Sequence, residues 1–325
     1  MSNAPTITAP ATPTALPARL ALALSDIKLS HSVFALPFAL LAAFATRPES
    51  MPWSRFALLL VPVLFCMVLG RTWAMLVNRL LDRGLDAHNP RTHRRAFAAG
   101  SLSPAFGWSL ALGCAAGFVV ACSGFWFLIA NPWPLYLALP VLGWIALYSL
   151  TKRFTWACHL FLGTSLAASP LAAAIAIDPR ALGLAAQVDS LGPIAPGLTS
   201  FLLCLAGMVT LWVAGFDIVY ALQDVAVDKR LGLFSVPSRL GVTLALWISR
   251  ALHTGAAVLL LLAWRSDGRL HLLFGIATAI AIALLIGEHL VLARRGERGL
   301  DAAFFTFNGI VSLVVGALGI ADLVL

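Results

Sequence analysis

Two trios of side chains in this 325-residue chain repeat one spacing. Asn78, Asp82 and Asp86 recur at every fourth position, and so do Tyr220, Asp224 and Asp228. On a helix a step of four advances about 40°, so each trio covers an arc of about 80° and faces one way. Asp217 stands seven residues before Asp224, about 20° off the same stripe. Four aspartates with no His or Cys beside them in ligand spacing suit a hard cation that takes oxygen ligands, and Mg²⁺ is the fitting one because it keeps contacts with substrate phosphates. The segment after each trio is basic: Arg91, Arg94 and Arg95 follow the first, and Lys229, Arg230 and Arg239 follow the second. Carboxylates ringed by Arg and Lys make a site for a Mg-bound diphosphate. A lone Asp-x-x-x-Asp near a helix end is equally well explained by a solvated terminus; two copies at corresponding positions are not. Asp86 precedes Gly100 by 14 residues and Asp228 precedes Gly241 by 13, and each glycine opens the next apolar stretch.

The elements that must hold these trios are membrane helices. Charged residues make up 11% of the chain and hydrophobic ones 60%, with a mean hydropathy of +0.92. A soluble domain carries about 25% charge, and low charge with abundant Leu, Ala, Val and Phe is the reverse of a disordered composition. The net charge of +8 comes from 22 Lys and Arg scattered between apolar runs. That pattern reads as membrane topology and excludes the solvated basic stripe of a nucleic-acid binder. Cys66, Cys114, Cys122, Cys158 and Cys204 sit inside apolar stretches without metal-type spacing and read as small core hydrophobes.

A membrane helix needs about 20 mostly apolar residues. The sequence offers nine such windows, near 28–46, 56–80, 101–122, 130–150, 156–177, 197–222, 241–264, 270–291 and 302–323. The third and fourth share a stretch, Ala96 to Thr151, with no charged residue, and Ser123-Gly124 with Asn131-Pro132-Trp133-Pro134 predict a hairpin turn between them. Residues 1–24 read as a disordered cytosolic tail and 25–325 as one membrane domain, an all-α polytopic bundle around a central cavity. The even connections carry 13 Lys and Arg and the odd ones 5, while the N-terminal segment adds Arg19 and Lys28. By the positive-inside rule the N-terminus and the even loops, with both trios, face the cytoplasm.

These motifs resemble the UbiA superfamily of intramembrane prenyltransferases. Asn78-Arg79-Leu80-Leu81-Asp82-Arg83-Gly84-Leu85-Asp86 is similar to its N-x-x-x-D-x-x-x-D motif, and Tyr220-Ala221-Leu222-Gln223-Asp224-Val225-Ala226-Val227-Asp228 to its Y-x-x-x-D-x-x-x-D partner. Thr92-His93-Arg94-Arg95 through Gly100 resembles T-x-x-R-P-L-x-x-G, with Ala96 in place of the usual Pro. Tyr148-Ser149-Leu150-Thr151-Lys152-Arg153-Phe154-Thr155 resembles the Y-x-x-x-K-R-x-T loop. The opening Ile27 to Phe38 and the Asn-Arg form of the first motif look like the 4-hydroxybenzoate polyprenyltransferase-like branch. The resemblance covers nearly all of 25–323.

The resemblance implies nine helices around a cavity in which Mg²⁺ and a polyprenyl diphosphate bind and the prenyl chain passes to an aromatic acceptor. Asp82, Asp86, Asp224 and Asp228 would hold the metal ions, with Asn78 and Asp217 as further ligands or orienting groups. Arg95, Lys152, Arg153, Lys229 and Arg239 would clamp diphosphate, and Arg71, Asn78, Asp217 and Tyr220 would face the acceptor side. By the same resemblance the acceptor would be 4-hydroxybenzoate or a related benzoate in quinone biosynthesis, or alternatively an aminodeoxyfutalosine-type benzoate of another menaquinone route. The expected partners are polyprenyl diphosphate, a small aromatic acceptor and the lipid bilayer of a bacterial inner membrane; no obligate protein partner is indicated. An ion-coupled transporter, the rival from another class, places its acidic residues near the bilayer centre rather than at helix ends beside basic loops. Two further polar residues stand inside expected spans: Arg250, about 13 Å into the seventh, which calls for a cavity or a partner, and His31, read as a hydrogen-bonded structural histidine.

Overall fold

The computed structural model describes residues 15–27, 34–186, 192–296, 300 and 302–325. Its helices, in chain order, are α1 (Leu16–Asp26), α2 (Leu36–Thr46), α3 (Trp53–Ala87), α4 (Pro104–Ile129), α5 (Trp133–Thr151), α6 (Cys158–Ile177), α7 (Leu198–Tyr220), α8 (Val225–Arg230), α9 (Val236–Leu240), α10 (Val242–Ser266), α11 (Leu272–Arg295) and α12 (Asn308–Val324). Helix starts carry the expected chemistry. Pro37, Pro104 and Pro134 sit in first turns, where a missing N–H costs nothing, and the Ser103 hydroxyl accepts the Phe106 N–H at 3.3 Å.

Eight helices among the described residues are long and apolar enough to cross a membrane. The expected first span differs: within 28–46 the described helix is α2, 11 residues long, which rises only about 16 Å. Lys28 and His31, read as part of that span, lie outside the described residues. Residues 16–24, read as part of a tail, belong to α1. Its Ala23 and the following Ile27 are buried against Leu76, Leu80 and Phe97, and the Asp26 carboxylate accepts the Ala96 N–H at 3.1 Å. Ser123-Gly124 does not break α4, since the Ser123 hydroxyl bonds back to the Val120 carbonyl at 2.7 Å within the helix. The turn falls at Ala130–Pro132, where Ala130 adopts φ 53° and the Asn131 amide donates to the Ile175 carbonyl at 2.7 Å, tying the hairpin to α6.

Helix α7 is the most deeply buried of the eight and packs against α6 on one side and α10 on the other. The α6–α7 contact depends on a residue without a side chain: a Cβ on Gly163 would stand 2.2 Å from the Thr210 carbonyl oxygen. The helices alternate in direction, so the C-terminal ends of α3, α5 and α7 and the N-terminal ends of α6 and α10 share one face. On the opposite face each of two arginines closes on an aspartate two residues earlier: Arg180 on Asp178 and Arg269 on Asp267, both at 2.6 Å.

Gly163→Ala is expected to lower stability in detergent by about 1–3 kcal/mol through overpacking, read as a lower thermal midpoint. Gly143→Ala, whose Cβ meets nothing within 4 Å, is the control expected to leave the midpoint in place.

Candidate active site

The first trio keeps its predicted geometry because α3 runs unbroken through it, and Asp82 and Asp86 are buried. Asp82 is held from three sides: by the Asn78 amide at 3.1 Å, Lys152 Nζ at 3.2 Å and Arg153 Nη2 at 3.0 Å. Arg95 Nη1 donates to both Asp86 oxygens at 2.9 Å, and the Thr92 hydroxyl fixes that loop by bonding to the Asp86 carbonyl at 3.1 Å. These are charge-assisted bonds, which carry the most weight where water is scarce.

The second trio departs from its arc. Helix α7 ends at Tyr220, a 3-10 turn spans Ala221–Asp224, and α8 resumes at Val225. A 3-10 turn advances about 120° per residue, which rotates Asp224 and Asp228 relative to Tyr220. Asp224 faces the loop after α3: the Asn89 amide donates to it at 2.9 Å and Arg91 Nε at 3.2 Å, while Arg91 Nη2 closes tightly on its other oxygen. Arg91 Nη1 also reaches the Tyr220 hydroxyl at 2.9 Å. Burial alone would lower the Arg91 guanidinium, but the hydrogen bonds and charge of Asp224 and Tyr220 outweigh it and hold the group above its ordinary value. Asp228 is buried and accepts from the Ser235 hydroxyl at 2.8 Å.

Both trios open on one cavity of about 1020 Å³. Its polar end holds the four aspartates with Arg91, Arg95 and Lys152; the rest is lined mainly by apolar side chains as far as Val63 on α3 and Ala176 on α6, with Arg71, Ser165 and Ser169 among them. From Val63 to Asp86 is 23 residues of one helix, a rise of about 35 Å. Arg71, Asn78, Asp217 and Tyr220 all line the same space. Arg71 Nε is buried with no hydrogen-bond partner among the described residues. Asp217 Oδ2 meets His159 Nδ1 at 2.7 Å.

Not every expected residue arrives. Lys229 and Arg239 are exposed and do not line the cavity. Arg239 instead donates to the Gly232 carbonyl at 3.2 Å and lies over the Phe234 ring at 3.7 Å, because α8 and α9 turn their basic positions outward. Arg153 reaches the site only through Asp82. Arg250 lies over the Trp247 ring at 4.7 Å, away from the cavity. Sequence reasoning passed over Asn89, His159 and Ser235. Each is a single polar residue in or beside a quoted motif with no spacing rule of its own, and only the fold brings it to an aspartate.

No group of three or more His, Cys, Asp or Glu side chains stands ready to hold a metal ion among the described residues. The donor set still suits a hard cation. Asp82, Asp86, Asp224 and Asp228 present oxygen alone, and for three of them the charge such an ion would balance is met by Arg or Lys side chains that reach toward solvent.

The model of the UbiA prenyltransferase family matches residues 35–310. The chain belongs to that family. Its likeness extends to the 4-hydroxybenzoate-prenyltransferase-like branch: it is 30% identical to a 4-hydroxybenzoate octaprenyltransferase of Stutzerimonas stutzeri over 172 residues, 52% of this chain and 49% of that protein. The chain thus spans about half the length of several such relatives. It is also 28% identical to protoheme IX farnesyltransferase 1 of Paramagnetospirillum magneticum over 84% of this chain and 88% of that one. Among solved structures, the apo UbiA homolog from Aeropyrum pernix K1 superposes with a TM-score of 0.76 at 28% identity, covering 90% of this chain and 98% of that one. The Archaeoglobus fulgidus UbiA homolog bound to GPP and Mg²⁺ shares the fold, with a TM-score of 0.65 at 18% identity over 94% and 100%.

The Arg91–Asp224 contact joins the two halves of the polar end. A double-mutant cycle of Arg91→Ala and Asp224→Ala, read by thermal unfolding, is expected to give a coupling of about 1 kcal/mol, the upper range for a partly exposed pair.

Proposed function

We propose that this protein is an intramembrane prenyltransferase that moves a polyprenyl group from polyprenyl diphosphate to an aromatic acceptor, 4-hydroxybenzoate or a related benzoate, in quinone biosynthesis. The observation that carries the reading is the cavity itself: four aspartates with Arg and Lys at one end, and a mainly apolar channel along the rest. That pairing suits a molecule with a diphosphate head and a hydrocarbon tail. Asp82, Asp86, Asp224 and Asp228, with Asn78, would hold Mg²⁺, which when bound neutralises diphosphate charge as the carbon–oxygen bond breaks. The finer reading adds a ninth crossing through residues 28–46 and a polar end on the cytoplasmic side of a bacterial inner membrane.

Each remaining part of the reaction falls to side chains of this chain. Arg91, Arg95 and Lys152 line the polar end and are the cationic groups placed to receive the phosphate oxygens as negative charge builds on them. Lys229 and Arg239, turned outward, have no such place. The apolar wall excludes water from the allylic cation left when the bond breaks, and Phe34 and Phe216 present aromatic rings to the same space. Arg71 stands seven residues before Asn78 on α3, about 10 Å deeper. Its guanidinium would pair with a benzoate carboxylate. The electron-rich ring would then attack the cation through carbon, forming the new carbon–carbon bond, and pass its ring proton to the departed diphosphate or to water.

Purified protein in detergent with Mg²⁺ and geranyl diphosphate, offered 4-hydroxybenzoate and the aminodeoxyfutalosine-type acceptor in parallel, tests the proposal by mass detection of prenylated product. Product from one acceptor alone assigns the acceptor; a protein that neither binds the diphosphate nor forms product refutes the reading. Asp82→Ala and Asp224→Ala are each expected to cut turnover at least 100-fold while the protein stays inserted. Chelation with EDTA is expected to abolish turnover, with recovery on added Mg²⁺. Arg239→Ala is expected to leave the donor requirement unchanged.

A further inference from the structure

His159 is a buried titratable side chain at the cavity to which none of the foregoing gives a task. It is 3% exposed, at the start of α6, and both its ring nitrogens are engaged. Nε2 receives the backbone N–H of Val236 at 3.2 Å, and Nδ1 faces Asp217 Oδ2 at 2.7 Å. A backbone N–H can only donate, so Nε2 must be the bare nitrogen and the ring proton must sit on Nδ1. That proton points at Asp217. The carboxylate therefore accepts through Oδ2, and Oδ1 has no protein hydrogen bond among the described residues although Asp217 lines the cavity.

The donor of the fixing bond is itself fixed. Val236 begins α9, whose capping Ser235 bonds both Asp228 at 2.8 Å and the Ser238 N–H at 3.3 Å. One residue earlier, the Phe234 N–H donates to the Lys152 carbonyl at 2.7 Å. The segment that holds Asp228 thus also sets the tautomer of His159. A carboxylate held through one oxygen at the wall of the cavity keeps the other able to accept a hydrogen bond from a ligand.

Resting on the prenyltransferase reading, we propose that His159 positions Asp217 to accept the hydrogen bond of the aromatic acceptor's ring hydroxyl, which makes the pair a determinant of acceptor choice. Withdrawing the hydroxyl proton toward Asp217 feeds electron density into the ring and raises the nucleophilicity of the carbon beside it. No covalent bond to the protein forms. A buried acceptor site rejects an analogue without the donor, because its own polar group is then left unpaired.

The test compares 4-hydroxybenzoate with 4-methoxybenzoate, which lacks the donor, by calorimetric binding to the full-length protein with Mg²⁺ and a non-cleavable geranyl thiolodiphosphate. Wild type is expected to prefer the hydroxy compound by at least about 100-fold. Asp217→Leu is expected to bring that preference within about threefold, and His159→Leu to lower it at least about tenfold, with thiolodiphosphate binding unchanged. His159→Gln, whose amide offers one donor and one acceptor, is expected to restore most of it, an outcome that a purely space-filling role would not produce. On the unmutated protein, ¹⁵N NMR of labelled histidine is expected to show His159 protonated on Nδ1 alone. Retained preference in Asp217→Leu, or a His159 protonated on Nε2, overturns the inference. Wild type that binds the thiolodiphosphate but shows no preference overturns the inference and spares the donor site; wild type that fails to bind the thiolodiphosphate overturns the reading beneath it as well.

Discussion

Carboxylates in the wall of a membrane protein must be compensated, and the polar end of this molecule is organised by that requirement. An uncompensated ion in a low-dielectric setting costs several kcal/mol, and intramembrane acids accordingly pair with one another, with cations or with water-filled space. Here Asp82 draws in Asn78, Lys152 and Arg153; Asp86 draws in Arg95; Asp224 draws in Asn89 and Arg91; Asp228 takes the Ser235 hydroxyl. The bonds reach across elements far apart in sequence. The loop after α3 is folded over the cavity mouth by Asp224, and the α5–α6 junction is drawn to α3 by Asp82. The loops of this face take their shape from four negative charges.

The same requirement explains why the two halves are similar without being copies. On α3 the acidic positions lie along one regular helix, so both carboxylates meet cations arriving from the side. On the other half the 3-10 turn at Ala221–Asp224 separates them. Asp224 is turned toward the partner half, while Asp228 is drawn under α9 and bonds to a neutral hydroxyl. A ligand bridging the halves would meet a shallow carboxylate backed by arginine and a deeper one backed by serine. Behind them, His159 links a cavity carboxylate to the segment carrying Ser235, so the α8–α9 region and the Asp217 side of the cavity are joined through one ring.

Much of this was legible in the residues. Apolar windows predicted eight of the long helices to within a few residues at most ends, because a bilayer demands length and hydropathy that little else in a sequence imitates. On α3 the spacing predicted a shared face, since a regular helix converts an interval of four into one side; the second trio lines the same cavity although the 3-10 turn takes it off its expected arc. The places where prediction and structure part have local causes. Lys229 and Arg239 were read as clamps from their position after the motif, but α8 and α9 are short helices whose orientation is set by tertiary bonds. The residues 16–24 were read as tail because nothing in their composition announces the packing of Ala23 and Ile27 beneath α3. His159 had no spacing to betray it; its partners lie 58 and 77 residues away.

The face opposite the aspartates carries a quieter arrangement. Arg180 and Arg269 each chelate an aspartate two residues earlier, using Nε and Nη2 against a carboxylate that is nearly inaccessible. A short segment closed in this way is a local zwitterion. During biogenesis, a segment carried through the bilayer as a closed pair moves no net charge, whereas an open arginine would move a full one. Asp82, Asp86 and Asp224 neutralise cations on their own face in the same way, so on both faces the free positive charge is smaller than a count of basic residues suggests.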